Sequence, residues 1–315
     1  MTAMTEDALF EYYAPAFRAD PYPFYKRLRD EDPIHWGMPY EPIFDGAWHL
    51  ARYADVGQVI RDPRFGKQMR FTLTDDMLAA LPPPIRTYYE LGSHALLMSD
   101  PPDHTRLRGL VSKAFTPRMV EGLRPRVETI ASGLLDAVRE SDTFDVVGDY
   151  AFPLSITVIA EMLGLPPSDR DNLKRWAAVL VAAQDCKRTL DVYVPASMAA
   201  EEVFAFFEER IAEQRRDPRP GILADLLAVH EAGDRLSEQE LIVMCTLLLI
   251  AGHDTTVNLI GNGMLALLRH PDQLALLRER PELIQSAVEE FLRYDPSSQM
   301  ASRIAHEDVE LGGKL

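Results

Sequence analysis

A chain of 315 residues, 47% of them hydrophobic, holds one large domain or two ordinary ones and has enough apolar side chains for a substantial core. Against 49 Asp and Glu stand 33 Lys and Arg, and the net charge of −16 argues against nucleic acid or an anionic membrane as the main partner. Cys186 and Cys245 provide no disulfide framework, and the start MTAMTEDALFEYY lacks the basic and apolar regions of a secretory signal, so a cytoplasmic protein without a membrane anchor is expected.

Residues 1–20 read as a loosely held lead-in. DPYPFYKRLRDEDP (20–33) predicts a short helix opened by Pro23 and stopped before Pro33. Ile34-His35-Trp36 and Ala47-Trp48-His49-Leu50 predict short strands, separated by a loop with Pro and Gly. A helical stretch from Ala54 to Arg61 ends at Asp62-Pro63. From 66 to 97 the chain is polar and carries Pro82-Pro83-Pro84, which predicts a long irregular loop.

MSDPPDHTRLR (98–108) starts a helix with a double proline and an acid. His104 and Arg108 are four apart and share one face. Such a pair suits a carboxylate, with Arg as a planar fork of donors, or else forms a solvated basic face. Met119 to about Asp225 predicts helices broken at Gly164-Leu165-Pro166-Pro167, at Pro195 and at Arg216-Asp217-Pro218. Phe204, Phe206, Phe207 and Ile211 have the spacing of a core face.

Ser237 and Glu240 form the S-x-x-E start of the next helix. From Leu241 to Ala251 it is apolar on every side except Thr246, so it has no solvent face and belongs inside the protein. From Leu241 to Leu268 it spans about 40 Å. A membrane span is the rival, but the uninterrupted apolar part falls short of the roughly 20 residues a bilayer needs, and His253, Asp254 and Asn258 follow. Midway, Ala251-Gly252-His253-Asp254-Thr255-Thr256 is a poor helix interior, whose side chains bond to the backbone and bend or open it. A functional interruption, a kink absorbed by packing and a satisfied polar cluster all fit. His253-Asp254 also admits a divalent-metal hydrolase site, yet no H-x-x-x-H or paired HD pattern accompanies it, and no metal ligands are assigned. His270 to Glu279 predicts a short helix. PELIQSAVEEFLRY from Pro281 predicts another, closed by Asp295-Pro296, with Glu290 and Arg293 on one face. EDVELGGKL reads as a strand and turn.

Several of these segments share a family likeness. AGHDTT resembles the distal-helix signature of the cytochrome P450 haem-thiolate monooxygenases, and DPPDHTRLR closely resembles their haem-propionate motif. EEFLRYDP resembles their invariant-type helix pair. DPYPFYKRLRDEDPIHW and GAWHLARYADVGQVIRDPRF resemble the N-terminal helix, two strands and following helix of bacterial members. The resemblance covers essentially the whole chain and implies a mainly α fold with a small β-sheet. It implies one incomplete domain, 1–315: mixed helix and sheet (1–65), a pocket loop (66–97), a helical core (98–295) and the start of a β segment (296–315).

The same resemblance implies haem b, with His104, Arg108 and Arg303 on its propionates and room for dioxygen at Ala251 and Gly252. Asp254 and Thr255 would relay protons, Glu290 and Arg293 would brace the core, and Trp176 to Pro195 would lie in the pocket's lid. The implied reaction inserts one atom of O2 into a small organic substrate. Electrons would come from an acidic ferredoxin-type partner docking near Arg106, Arg108, Lys113, Arg118, Arg124 and Arg126.

The family's Gly-rich loop with the iron-ligating Cys is not among these residues, so the resemblance is to a member cut short before it. Cys245 precedes Asp254 by about 13 Å on the same helix, and Cys186 falls in the lid segment. Both are on the distal side, and neither is expected to ligate iron. The chain is therefore expected to hold haem loosely or not at all, to expose apolar surface around the helix of Glu290, and to be inactive. The alternative is a non-catalytic helical scaffold with a vestigial haem pocket.

Overall fold

In the computed structural model, which describes residues 15–37, 46–68, 75–184, 190–231 and 236–315, helices dominate and strands are few and short. The chain divides into two units: Met1–Thr87 with Asp185–Val194 and Ser302–Leu315, and Tyr88–Gln184 with Pro195–Ala301.

In the first unit, helix α1 (Pro15–Ala19) occupies part of the expected lead-in. Helix α2 (Tyr22–Glu31) buries Phe24 and Leu28, four apart, and Phe17 packs edge-on against Phe24 at 5.2 Å. It ends where Pro33 disfavours helical geometry at Asp32. Strands β1 (Ile34–Gly37) and β2 (Ala47–Leu50) pair antiparallel, with His35 opposite His49 and Trp36 opposite Trp48. Helix α3 (Tyr53–Arg61) follows, and β3 (Phe65–Gly66) pairs antiparallel with β4 (Ile304–Ala305). The turn near the end, bridged between Leu311 and Lys314, needs glycine at 312. There φ is +56°, and a Cβ would lie 2.4 Å from Ile34 Cδ1.

The irregular loop expected over 66–97 is instead partly helical, with α4 (Asp75–Ala80) and α5 (Pro83–Gly92). Pro83 and Pro84 open α5, where a missing N–H costs nothing. Ile85, only 1% exposed, anchors the segment.

The second unit is built of helices: α6 (Asp103–Ala114), α7 (Pro117–Val138), α8 (Phe152–Leu163) entered through a π turn at Val146–Ala151, and α9 (Arg170–Ala182). After these come α10 (Leu190–Arg216, beginning in the first unit), α11 (Ile222–Glu231), α12 (Glu238–Arg269), α13 (Pro271–Glu279) and α14 (Ile284–Tyr294). Gly164 closes α8 in the left-handed conformation at φ +79°, one of the expected breaks. Pro195 is not a break. Helix α10 runs through it, because one absent N–H removes a single backbone bond that the packed helix tolerates.

The core joins Leu107 and Leu110 of α6, Ile156 and Leu163 of α8, Leu173 and Trp176 of α9, Phe207 and Ile211 of α10, Leu226 of α11, and Leu241 to Leu249 of α12. Phe204 and Phe206 pack against it half-buried. By length and composition, Val146–Leu163 and Glu238–Arg269 could each cross a bilayer, with mean hydropathy 1.4. Here both supply core residues, as a central helix should.

Candidate functional site

Helix α12 begins with the expected capping box. Ser237 Oγ accepts the Glu240 N–H at 3.1 Å, while the Glu240 carboxylate accepts the Ser237 N–H at 2.8 Å. The helix then passes through Ala251 to Thr256 unbroken. The expected back-bonding is present: Thr255 Oγ1 donates to the Ala251 carbonyl at 2.8 Å and Thr256 Oγ1 to that of Gly252 at 3.4 Å. Asn258 donates to the Asp254 carboxylate at 3.1 Å.

These residues point in different directions. Ala251, Thr255 and Asn258 are exposed at i, i+4 and i+7, one open uncharged stripe. Gly252 turns toward α8, and a Cβ there would lie 2.8 Å from Ile159 Cδ1. Its smallness thus serves helix packing. His253 is 3% exposed and packs edge-on against Phe152 at 4.6 Å, with Lys174 Nζ 4.2 Å from the centre of that ring. Burial pushes the His253 imidazole below its ordinary range, with Lys174 acting the same way against Asp254.

Helix α6 separates its cations. Arg106 Nη2 donates to Glu240 Oε1 at 2.5 Å and Nη1 to Oε2 at 3.4 Å, with Asp103 3.6 Å away. Burial works to raise the Glu240 carboxyl, but Arg106 and the Ser237 N–H outweigh it and leave it below the usual range. His104 and Arg108 lie on another face, and among the described residues neither side chain has a hydrogen bond or ion pair. Arg303, in the first unit, donates to the Ser302 carbonyl at 2.8 Å and meets no carboxylate among the described residues.

Glu290 and Arg293 pair at 2.6 Å, but their side chains are 54% and 70% exposed, and a pair so open to solvent screening contributes little. Ile284, Val288 and Leu292 form an exposed apolar stripe on α14, as foreseen for that helix. A groove of about 450 Å³, lined by Leu267, Leu276, Phe291 and Tyr294, lies among α12, α13 and α14, some three turns beyond Thr255. Within the basic cluster Arg124 pairs with Glu121 and Arg126 with Glu161. Trp176, assigned to the lid, is a core residue whose indole N–H donates to Glu202 at 2.8 Å. Cys245 is fully buried and its thiol is pushed up to about 12 by burial. Cys186 lies outside the described residues.

A family model described as cytochrome P450 matches residues 183–315. Over 308 residues the chain is 43% identical to a vitamin D(3) 25-hydroxylase of Pseudonocardia autotrophica, covering 96% of this chain and 72% of that protein. The chain belongs to the cytochrome P450 family. This P450 is also 44% identical over 300 residues to cytochrome P450 107B1 of Saccharopolyspora erythraea, with 94% and 71% covered. The crystal structure of P450BioI, in complex with an acyl carrier protein ligated by hexadec-9Z-enoic acid, matches at TM-score 0.86 and 37% identity. That match covers 95% of this chain and 74% of the other. The mainly helical architecture with small sheets is the P450 fold, and the family's enzymes are monooxygenases.

Proposed function

We propose that this P450 is a cytoplasmic haem-dependent monooxygenase that transfers one atom of O2 to a small organic substrate with electrons from a ferredoxin-type protein. The observation that carries the reading is the contrast on α6. Arg106 is neutralised by Glu240, whereas His104 and Arg108 carry donors with no counter-charge. Paired donors on one helix face fit carboxylates such as haem propionates, the guanidinium in fork geometry. The uncharged stripe of Ala251 and Thr255 fits the flat face of the macrocycle.

The bound haem would supply the oxygen-reducing chemistry, with a cysteine thiolate as its protein ligand. Overall, RH, O2, two electrons and two protons give ROH and water. The protein's part is to deliver those protons. Thr255 Oγ1 is oriented by its bond to the Ala251 carbonyl, which leaves its lone pairs open to accept a proton donor from the exposed side. Asp254, steadied by Asn258, is the adjacent acid that resupplies Thr255. Buried His253 stays neutral and holds α12 against Phe152.

Cys245, buried in the N-terminal half of the same helix with its thiol pushed up to about 12, would not supply that thiolate. In the haem-thiolate holoenzyme, Thr255→Ala is expected to keep haem and substrate binding while diverting most reducing equivalents to hydrogen peroxide. Product formation still tightly coupled to electron consumption in that variant would remove Thr255 from the relay.

A further inference from the structure

Strands β1 and β2 are patterned the wrong way round for a sheet with a water-facing side. Residues along a strand alternate faces, and here the tryptophans are outside: Trp36 and Trp48 are 51% and 40% exposed, stacked edge-on at 5.1 Å. The opposite face carries His35 and His49, direct cross-strand partners with ring centres 6.4 Å apart. The side chain of His35 is only 6% exposed.

Each imidazole is fixed in the same sense. His35 Nδ1 lies 2.8 Å from the Asp32 carboxylate, which only accepts, so in the neutral ring Nδ1 carries the hydrogen and Nε2 the lone pair. His49 is bonded to the Gly37 carbonyl, likewise an acceptor, and its Nε2 has no partner, so again Nδ1 donates. Both Nε2 atoms are buried without a hydrogen bond. One nitrogen donating to a carboxylate or backbone carbonyl while the other presents a bare lone pair is how proteins orient metal-bound histidine.

We propose that His35 and His49 bind one late first-row divalent cation, of the Zn²⁺, Ni²⁺ or Cu²⁺ class, through their Nε2 atoms. Imidazole nitrogen suits these ions. Two rings sharing an ion at about 2.0–2.1 Å per bond hold their centres about 5–6.5 Å apart, depending on the angle at the metal. The observed 6.4 Å is the limit reached with a nearly straight N–metal–N line, so a bent arrangement requires the two rings to turn toward each other by about 1 Å on binding. No group of three ligand-type side chains is gathered among the described residues, so the protein supplies two ligands and the remaining positions of the ion are left to solvent admitted as it binds. Asp32 and the Gly37 carbonyl form the supporting layer.

The test uses the haem-free 315-residue chain with Cu²⁺ as the probe. Electron paramagnetic resonance at one equivalent is expected to show coupling to two imidazole nitrogens, with quenching of Trp36 and Trp48 fluorescence. His35→Gln and His49→Gln should each weaken binding by at least about tenfold, and Asp32→Asn by about 10–100-fold while keeping both ligands. His306→Gln, in the same unit but off this strand pair, should bind as wild type. Coupling to no more than one nitrogen, or affinity unchanged by all three substitutions at the pair, would overturn the site. The nitrogen count decides the matter even if a glutamine variant fails to fold.

Discussion

Arg106 on α6 and Glu240 in the capping box of α12 are joined by two hydrogen bonds across 134 positions of sequence, the shorter at 2.5 Å. One carboxylate thus serves two ends. It closes the N-terminus of the helix bearing Asp254 and Thr255, and it holds the helix bearing His104 and Arg108. The side chains are 25% and 13% exposed, partly shielded from screening. Arg106→Leu and Glu240→Gln are each expected to cost about 1–3 kcal/mol. In a double-mutant cycle read by urea denaturation, the losses should be less than additive by about 0.5–3 kcal/mol. Strict additivity would show that the two side chains act independently.

The same pair gives the stability a defined acid limb. The Glu240 carboxyl is depressed in the folded chain, so the unfolded chain takes up the proton first. Its contribution is complete above the unfolded value, about 4.3–4.5, and is lost as pH falls through the lower folded value. Melting temperatures from pH 6 down to 3 should fall less steeply for Glu240→Gln than for wild type. Parallel curves would assign the acid limb to other carboxylates.

Sequence patterns resolved what is local. The capping box at Ser237 and Glu240, the cross-strand segments β1 and β2, and the hydroxyl back-bonds of Thr255 and Thr256 all follow from residues within a few positions of one another. Long-range placement was not legible. Nothing near Arg106 marks it for Glu240 while Arg108 stays uncommitted, and the pairing of Phe65–Gly66 with Ile304–Ala305 has no local signature. Proline misled twice, at Pro82-Pro83-Pro84, where it starts a helix, and at Pro195, where packing overrides the break. The close approach of Gly252 to Ile159, where a Cβ would lie 2.8 Å from Cδ1, likewise has no mark in the neighbouring sequence.

Cysteine chemistry offers a spectroscopic check. Cys245 is buried on α12 with its thiol raised to about 12, so at neutral pH it is not a thiolate. The 315-residue chain loaded with haem, reduced and exposed to carbon monoxide is expected to lack the thiolate-type band. A clean thiolate band would mean that Cys245 or Cys186 reaches the iron, and Cys245→Ala would tell which.

For the electron donor, the cations to alter are those on α6 and α7 that project into solvent. Lys113 and Arg118 are both exposed. Charge reversal at the two positions is expected to slow reduction of the holoenzyme by an acidic ferredoxin about tenfold at low salt, with the difference fading as ionic strength screens the encounter. Equal rates at low salt would place the docking surface elsewhere.

Haem affinity of the 315-residue chain tests the central claim most directly, because it reads His104 and Arg108 without requiring turnover. Titrated spectrophotometrically with haem, the wild-type chain is expected to bind one equivalent. His104→Ala and Arg108→Ala should each weaken binding roughly ten- to a hundredfold, the equivalent of about 1.5–3 kcal/mol for a charged hydrogen bond. Arg108→Lys should fall between, since it keeps the charge and loses the fork. Superimposable titrations for wild type and both alanine variants would contradict the assignment of α6 as the propionate clamp.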